Sequence, residues 1–263
     1  MPSIDLASLR LQGADLAGLI GDPPAFRTAL QNLFNRHSHR LLRKSRSMVR
    51  RSALAAWDVP GLLIREVEAA LLPAARRNPD AALRAAVAIW PSGKLEEKQL
   101  AAFLAGLSAD ADRIRDVLRR WLPGMEDPVV LEALARLTCR PLRCSNGVLF
   151  RSDVRAWITD THSARRRFGW TALHRWAEDE TSDSFFAAFE LLPIVFDETD
   201  PEILQSAAGL LGCLAEHSPH ETEAWLSELT SQARQQGRRF LRSALPVLPA
   251  ETADRLRSLL REA

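Results

Sequence analysis

The stretch GLLIREVEAALLPAARR, at residues 61–77, decides the fold. Its apolar residues recur every three or four positions, which is the spacing of one face of an α-helix and not the alternation of a β-strand. Pro60 stands just before it, where a missing N–H does no harm because the first N–H groups of a helix have no partner. The stretch therefore predicts an amphipathic helix, whose apolar face consists of Leu62, Leu63, Val67, Ala70, Leu71 and Ala74.

The same pattern continues along the chain, for example over residues 163–177 and 201–217. Helix-breaking residues interrupt it about every 12 to 20 positions, so two helices fit into roughly 35 to 40 residues, the period of HEAT and armadillo repeats. We therefore predict an all-α, HEAT-like helical-repeat solenoid, although a compact helical bundle would show the same local periodicity. Residues 24–263 are predicted to form one such domain, preceded by a poorly defined extension over residues 1–23. Residues 139–151, with Pro141 and Asn146-Gly147, are predicted to form a loop.

Composition places the chain among globular proteins. It has 263 residues, of which 46% are hydrophobic and 26% are charged, and this is enough to bury a core. Three cysteines are too few for a disulfide framework, and we find neither a signal peptide nor an apolar run of membrane-spanning length. We therefore expect a cytoplasmic protein without a membrane segment.

Basic residues form three clusters from which acidic residues are nearly absent. Equivalent helices of a solenoid line one concave surface, so clusters that are distant in sequence can converge there and bind the phosphates of double-stranded DNA. The alternative is that each cluster is a solvated helix face balanced by a nearby acidic run. The predicted DNA contacts are Arg40, Arg43, Lys44, Arg165, Arg166, Arg167, Arg238 and Arg239.

Several segments, taken in order, resemble the AlkD-like family of DNA alkylation-repair proteins. They are WDVP (57–60), AIW (88–90) followed by LEEKQLAAFL (95–104), WITDTHSARRR (157–167) and DPEILQSAAGL (200–210). The resemblance implies a HEAT-like fold and a relationship to DNA glycosylases that remove positively charged alkylated purines.

The sequence departs from that family at its catalytic positions. The resemblance implies a catalytic aspartate where this chain has Glu132, and framing tryptophans where it has Pro128 and Leu210, whereas Arg167 matches the family's arginine. A carboxylate and aromatic faces stabilise the cationic base as its bond breaks, and neither proline nor leucine has a π face. The longer side chain of glutamate also shifts the charge by about an ångström, which can cost on the order of 100-fold in rate.

Three interpretations follow. The first is a protein that grips the DNA backbone in a concave basic groove, with little or no base excision. The second is an active glycosylase of the 3-methyladenine or 7-methylguanine type that uses Glu132 or Asp127. The third is a helical scaffold that binds a protein partner.

We expect the other polar and aromatic residues to have mainly structural roles. Trp170 and Trp176 are expected in the core, or else beside Arg167 as stacking platforms for nucleic acid. Glu96 and Glu97 are expected to be charges on a helix surface. Cys139 and Cys144 lack a second pair of ligands at zinc-site spacing, so we expect no metal and no cofactor.

Overall fold

The computed structural model describes residues 6–38, 52–232 and 235–262. Within these ranges the regular structure is helical and contains no β-strand. The all-α prediction is therefore confirmed. The chain divides into two compact units, Met1–Pro141 and Leu142–Ala263.

The first unit stacks every second helix. Helix α1 packs on α3, α3 on α5, and α5 on α7, while α2 packs on α4. This is the contact pattern of helical repeats, in which corresponding helices of successive repeats lie side by side. The helices are α1 (Leu6–Gly18), α2 (Pro23–His37), α3 (Gly61–Arg77), α4 (Pro79–Ile89), α5 (Leu95–Ala105), α6 (Ala111–Trp121) and α7 (Pro128–Ala133), followed by a π-helical turn (Leu134–Thr138).

The second unit repeats this arrangement. Helix α10 packs on α12 and α12 on α14, while α9 packs on α11 and α13 on α15. A short helix, α8 (Arg140–Ser145), runs through the division between the units. The remaining helices are α9 (Gly147–Ile158), α10 (Ser163–Ala177), α11 (Ser182–Leu191), α12 (Pro201–His217), α13 (Pro219–Gln232), α14 (Gln235–Ala244) and α15 (Ala250–Glu262).

Side-chain caps explain where many helices begin. Each cap oxygen accepts a hydrogen bond from a backbone N–H of the first turn, which otherwise has no partner. At the start of α12, for example, Asp200 accepts from the N–H of Glu202 at 2.9 Å, and Pro201 occupies the first helical position. The predicted helices 61–77, 163–177 and 201–217 have the observed bounds.

Two terminal or irregular segments are more helical than the sequence suggested. Residues 139–151, predicted to be a loop, form α8 and the start of α9, so that prediction was wrong. Pro141 is the second residue of α8, where no intrahelical N–H bond is lost, and Asn146 caps α9 by accepting from the N–H of Leu149 at 3.0 Å. Residues 6–18, within the predicted extension, form α1, which packs on α3.

The first turn of α5 buries three consecutive charged residues, so the prediction that Glu96 and Glu97 lie on a helix surface was wrong. Glu96 accepts hydrogen bonds from the N–H groups of Trp57 and Asp58 at 2.9 and 2.8 Å, which fixes the segment before α3. Lys98 donates to the Trp90 carbonyl at 3.0 Å, and burial lowers the pKa of its ammonium group. The indole of Trp90 also stacks on that of Trp121, with 4.0 Å between ring centroids.

Candidate nucleic-acid interface

Asp127, one of the two proposed catalytic carboxylates, is buried at the start of α7. Its Oδ1 accepts hydrogen bonds from the N–H groups of Val129 and Val130, at 3.1 and 3.2 Å. Its Oδ2 accepts from the hydroxyl of Ser52 at 2.7 Å and from the N–H of Ala53 at 3.0 Å. All four hydrogen bonds are structural. Two of them cap α7, and the other two attach residues 52 and 53 to the start of that helix.

The other proposed carboxylate, Glu132, lies half-buried on α7, two residues before Leu134, where the π-helical turn begins. Pro128 forms the first residue of the same helix. Leu210, at the second position where the resemblance implies a framing tryptophan, is fully buried in α12. No aromatic side chain therefore stands at either position.

Each arginine of the cluster 165–167 on α10 is bound to a carboxylate. Arg165 pairs with Asp160, Arg166 with Glu198, and Arg167 with both Asp200 and Glu202, all at 2.8 Å. Three arginines thus face four carboxylates. This arrangement corresponds to the alternative in which an acidic run balances a basic cluster.

The pKa values of these carboxyl groups show how firmly the pairs are held. The pKa of Asp160 lies well below its usual range, chiefly because Arg165 donates a hydrogen bond to the carboxylate and also because the His162 N–H does so. Burial on its own would raise the pKa of Glu198 and of Asp200, but hydrogen bonds from Arg166, Arg167 and nearby N–H groups outweigh it and lower both pKa values. All three carboxylates therefore stay ionised at neutral pH and neutralise the cluster.

The arginines of α14 are arranged differently. Arg242 follows Arg239 by three residues and Arg238 by four, so it lies on the same side of the helix as both. In the portion of the chain that the structure describes, none of them forms an ion pair, and Arg239 and Arg242 are exposed. Arg242 was not among the predicted contacts, although its helical spacing from Arg238 was visible in the sequence. The predicted contacts Arg40, Arg43 and Lys44 lie outside the described residues.

Trp170 and Trp176 are both core residues of the second unit. Both indoles are buried, and the ring of Trp176 packs edge-on against Phe150 with 5.1 Å between centroids. Neither ring presents a face to solvent on which a base could stack. We therefore leave both out of the proposed interface.

Other kinds of site find no support in the described ranges. The three cysteines form no disulfide bond, and no group of three or more histidine, cysteine or acidic side chains there could hold a metal ion. No described helix has the length and apolar character required to cross a bilayer.

Comparison with known proteins agrees with the resemblance stated above. The family model described as DNA alkylation repair enzyme matches residues 58–248, which is more than half of the chain. Neither the curated proteins nor the solved structures gave a match.

Proposed function

Because the chain belongs to the DNA alkylation repair enzyme family, we propose that it binds duplex DNA through the phosphate backbone and does not excise bases. The observation that carries this proposal is the set of arginines on one side of α14, Arg238, Arg239 and Arg242, without acidic partners. Guanidinium groups suit phosphate because they are always charged and present several donors in a fixed plane.

The contrast between α14 and α10 decides which cluster we assign to DNA. A phosphate gains little from an arginine whose charge is already cancelled by a carboxylate, and the cluster on α10 is cancelled in this way. The exposed arginines of α14 carry their full charge, so their contact with DNA would release counterions. We therefore place the main backbone contact on α14.

Replacing Arg239 and Arg242 together with glutamine tests this assignment. The slope of log K against log salt is negative, and each lost phosphate contact reduces its magnitude by about 0.9. We therefore expect the magnitude of the slope to fall by about 2 and the affinity to fall by about tenfold or more. Fluorescence anisotropy with a labelled duplex over a salt series measures both quantities. Both side chains are exposed, so the fold should be unaffected.

A matched variant separates position from net charge. Arg27→Gln with Arg76→Gln removes the same two charges from exposed sites on α2 and α3, and its salt slope should equal that of the unmodified chain. An undiminished slope in the α14 variant would exclude α14 as the contact. If the salt slope and the affinity for the duplex fall instead in a variant with Arg166→Ala and Arg167→Ala, the contact with DNA lies on α10.

The environment of α7 supports the proposed absence of base excision. Neither Pro128 nor Leu210 offers an aromatic ring that could stabilise the positive charge on a departing base. Asp127 already accepts four hydrogen bonds that hold the fold together.

We expect no free N-alkylpurine when the protein is incubated with methylated duplex DNA, as measured by chromatography of released bases. The Glu132→Gln variant serves as the control and should give the same baseline. Release by the unmodified chain that disappears in Glu132→Gln would instead assign the protein as a glycosylase with Glu132 as its electrostatic catalyst.

A further inference from the structure

A surface groove lies between α4 and α6 in the first unit, with a volume of about 390 Å³. Its floor is apolar and consists of Leu83 and Val87 from α4 and Val117 from α6, of which Leu83 and Val117 are buried in the fold. Val87 keeps 40% of its surface exposed, which is a large fraction for an apolar side chain in a helix packed on its neighbours. We call this feature the α4–α6 groove.

The rim of the α4–α6 groove is positively charged. Arg84, Arg113 and Arg120 line it, against the single carboxylate of Asp116. Arg113 pairs with Asp80 at 2.5 Å, whereas neither Arg84 nor Arg120 has an acidic partner within the described ranges. The groove therefore offers two exposed guanidinium groups on either side of an apolar floor.

We propose that the α4–α6 groove binds an acidic amphipathic helix of a partner protein. One large apolar side chain of that helix would cover Val87, the exposed member of the floor, and flanking carboxylates would pair with Arg84 and Arg120. The volume is at the small end of ligand pockets and suits a single side chain. Charge complementarity determines which helix is accepted, since a basic helix would be repelled by the rim.

The floor distinguishes this occupant from DNA. A sugar–phosphate backbone has no apolar side chain to place against the exposed Val87, so the surface of Val87 would stay hydrated. The proposal also rests on different residues from the DNA contact assigned to α14, so each can fail without the other.

The probe is a fluorescein-labelled helical peptide with leucines one turn apart and glutamates beside them. Saturable binding is expected in fluorescence anisotropy. Val87→Asp places a carboxylate on the floor and should weaken binding by about tenfold or more, because it repels the glutamates and removes the apolar contact. Arg84→Glu with Arg120→Glu should weaken it at least as much and flatten its salt dependence.

Three controls make the result decisive. A peptide with lysines in place of the glutamates should not bind, and Arg27→Glu with Arg76→Glu should bind the acidic peptide as the unmodified chain does. Thermal unfolding checks that the groove variants remain folded. Absence of saturable binding, or equal binding by the groove variants, overturns the proposal, and loss of duplex binding in those variants without peptide binding would make nucleic acid the occupant.

Discussion

Replacing Gly106 with alanine should lower the free energy of unfolding by about 3 kcal/mol, near the upper end of the range for overpacked cores. A Cβ atom there would lie 2.1 Å from the carbonyl oxygen of Leu137 and 2.7 Å from its carbonyl carbon. Both are backbone atoms of the π-helical turn after α7, so no side-chain rotation relieves the overlap. Gly106 has φ −69°, a helical value that alanine adopts freely, so the contact alone is responsible.

Chemical denaturation followed by circular dichroism measures the effect. Gly61→Ala is the matched control, because a Cβ at Gly61 meets no atom within 4 Å and the residue begins α3. That variant should be neutral or slightly more stable, since alanine restricts the unfolded chain. Equal stability of the two variants would mean that α5 and the π-helical turn separate easily.

Replacing Asp127 with alanine is the second substitution with a large expected effect, a loss of about 3 kcal/mol in unfolding free energy. Loss of the cap on α7 contributes about 1 kcal/mol. The Ser52 hydroxyl and the Ala53 N–H also lose their acceptor, at about 1 kcal/mol each. The loss should appear as a lower midpoint in thermal or denaturant unfolding.

Asp110→Ala provides the comparison, because Asp110 caps α6 through two N–H groups and, besides these, pairs only with the exposed guanidinium of Arg113 at 3.4 Å, a contact that contributes little. It should lose only about 1 kcal/mol. If the two alanine variants prove equally stable, the tether to residues 52 and 53 contributes nothing. Ser52→Ala, combined with Asp127→Ala in a double-mutant cycle, isolates that tether.

Local chemistry made much of the fold predictable. The bounds of α3 and α12 follow from apolar spacing and from a proline at or beside the helix start, all of which are visible in consecutive residues. The prediction of a loop at residues 139–151 was wrong because a proline breaks a helix only in its interior, whereas Pro141 lies in the first turn of α8, where it is tolerated.

The candidate site was less predictable because its charged side chains form ion pairs with residues that are distant in sequence. Arg166 and Glu198 are 32 residues apart, so the sequence displays both charges but not their pairing. The burial of Glu96, Glu97 and Lys98 likewise depends on which helices cover α5. The close approach of Gly106 to the π-helical turn depends on tertiary packing in the same way.

The parallel indoles of Trp90 and Trp121 give the first unit an optical signature of its own. Their planes differ by 5° and their centroids lie 4.0 Å apart, close enough for the electronic transitions of the two rings to couple. We expect this coupling to give an exciton signal in circular dichroism, which should disappear when α6 separates from the Trp90 segment. Unfolding of the first unit can therefore be followed without an added dye.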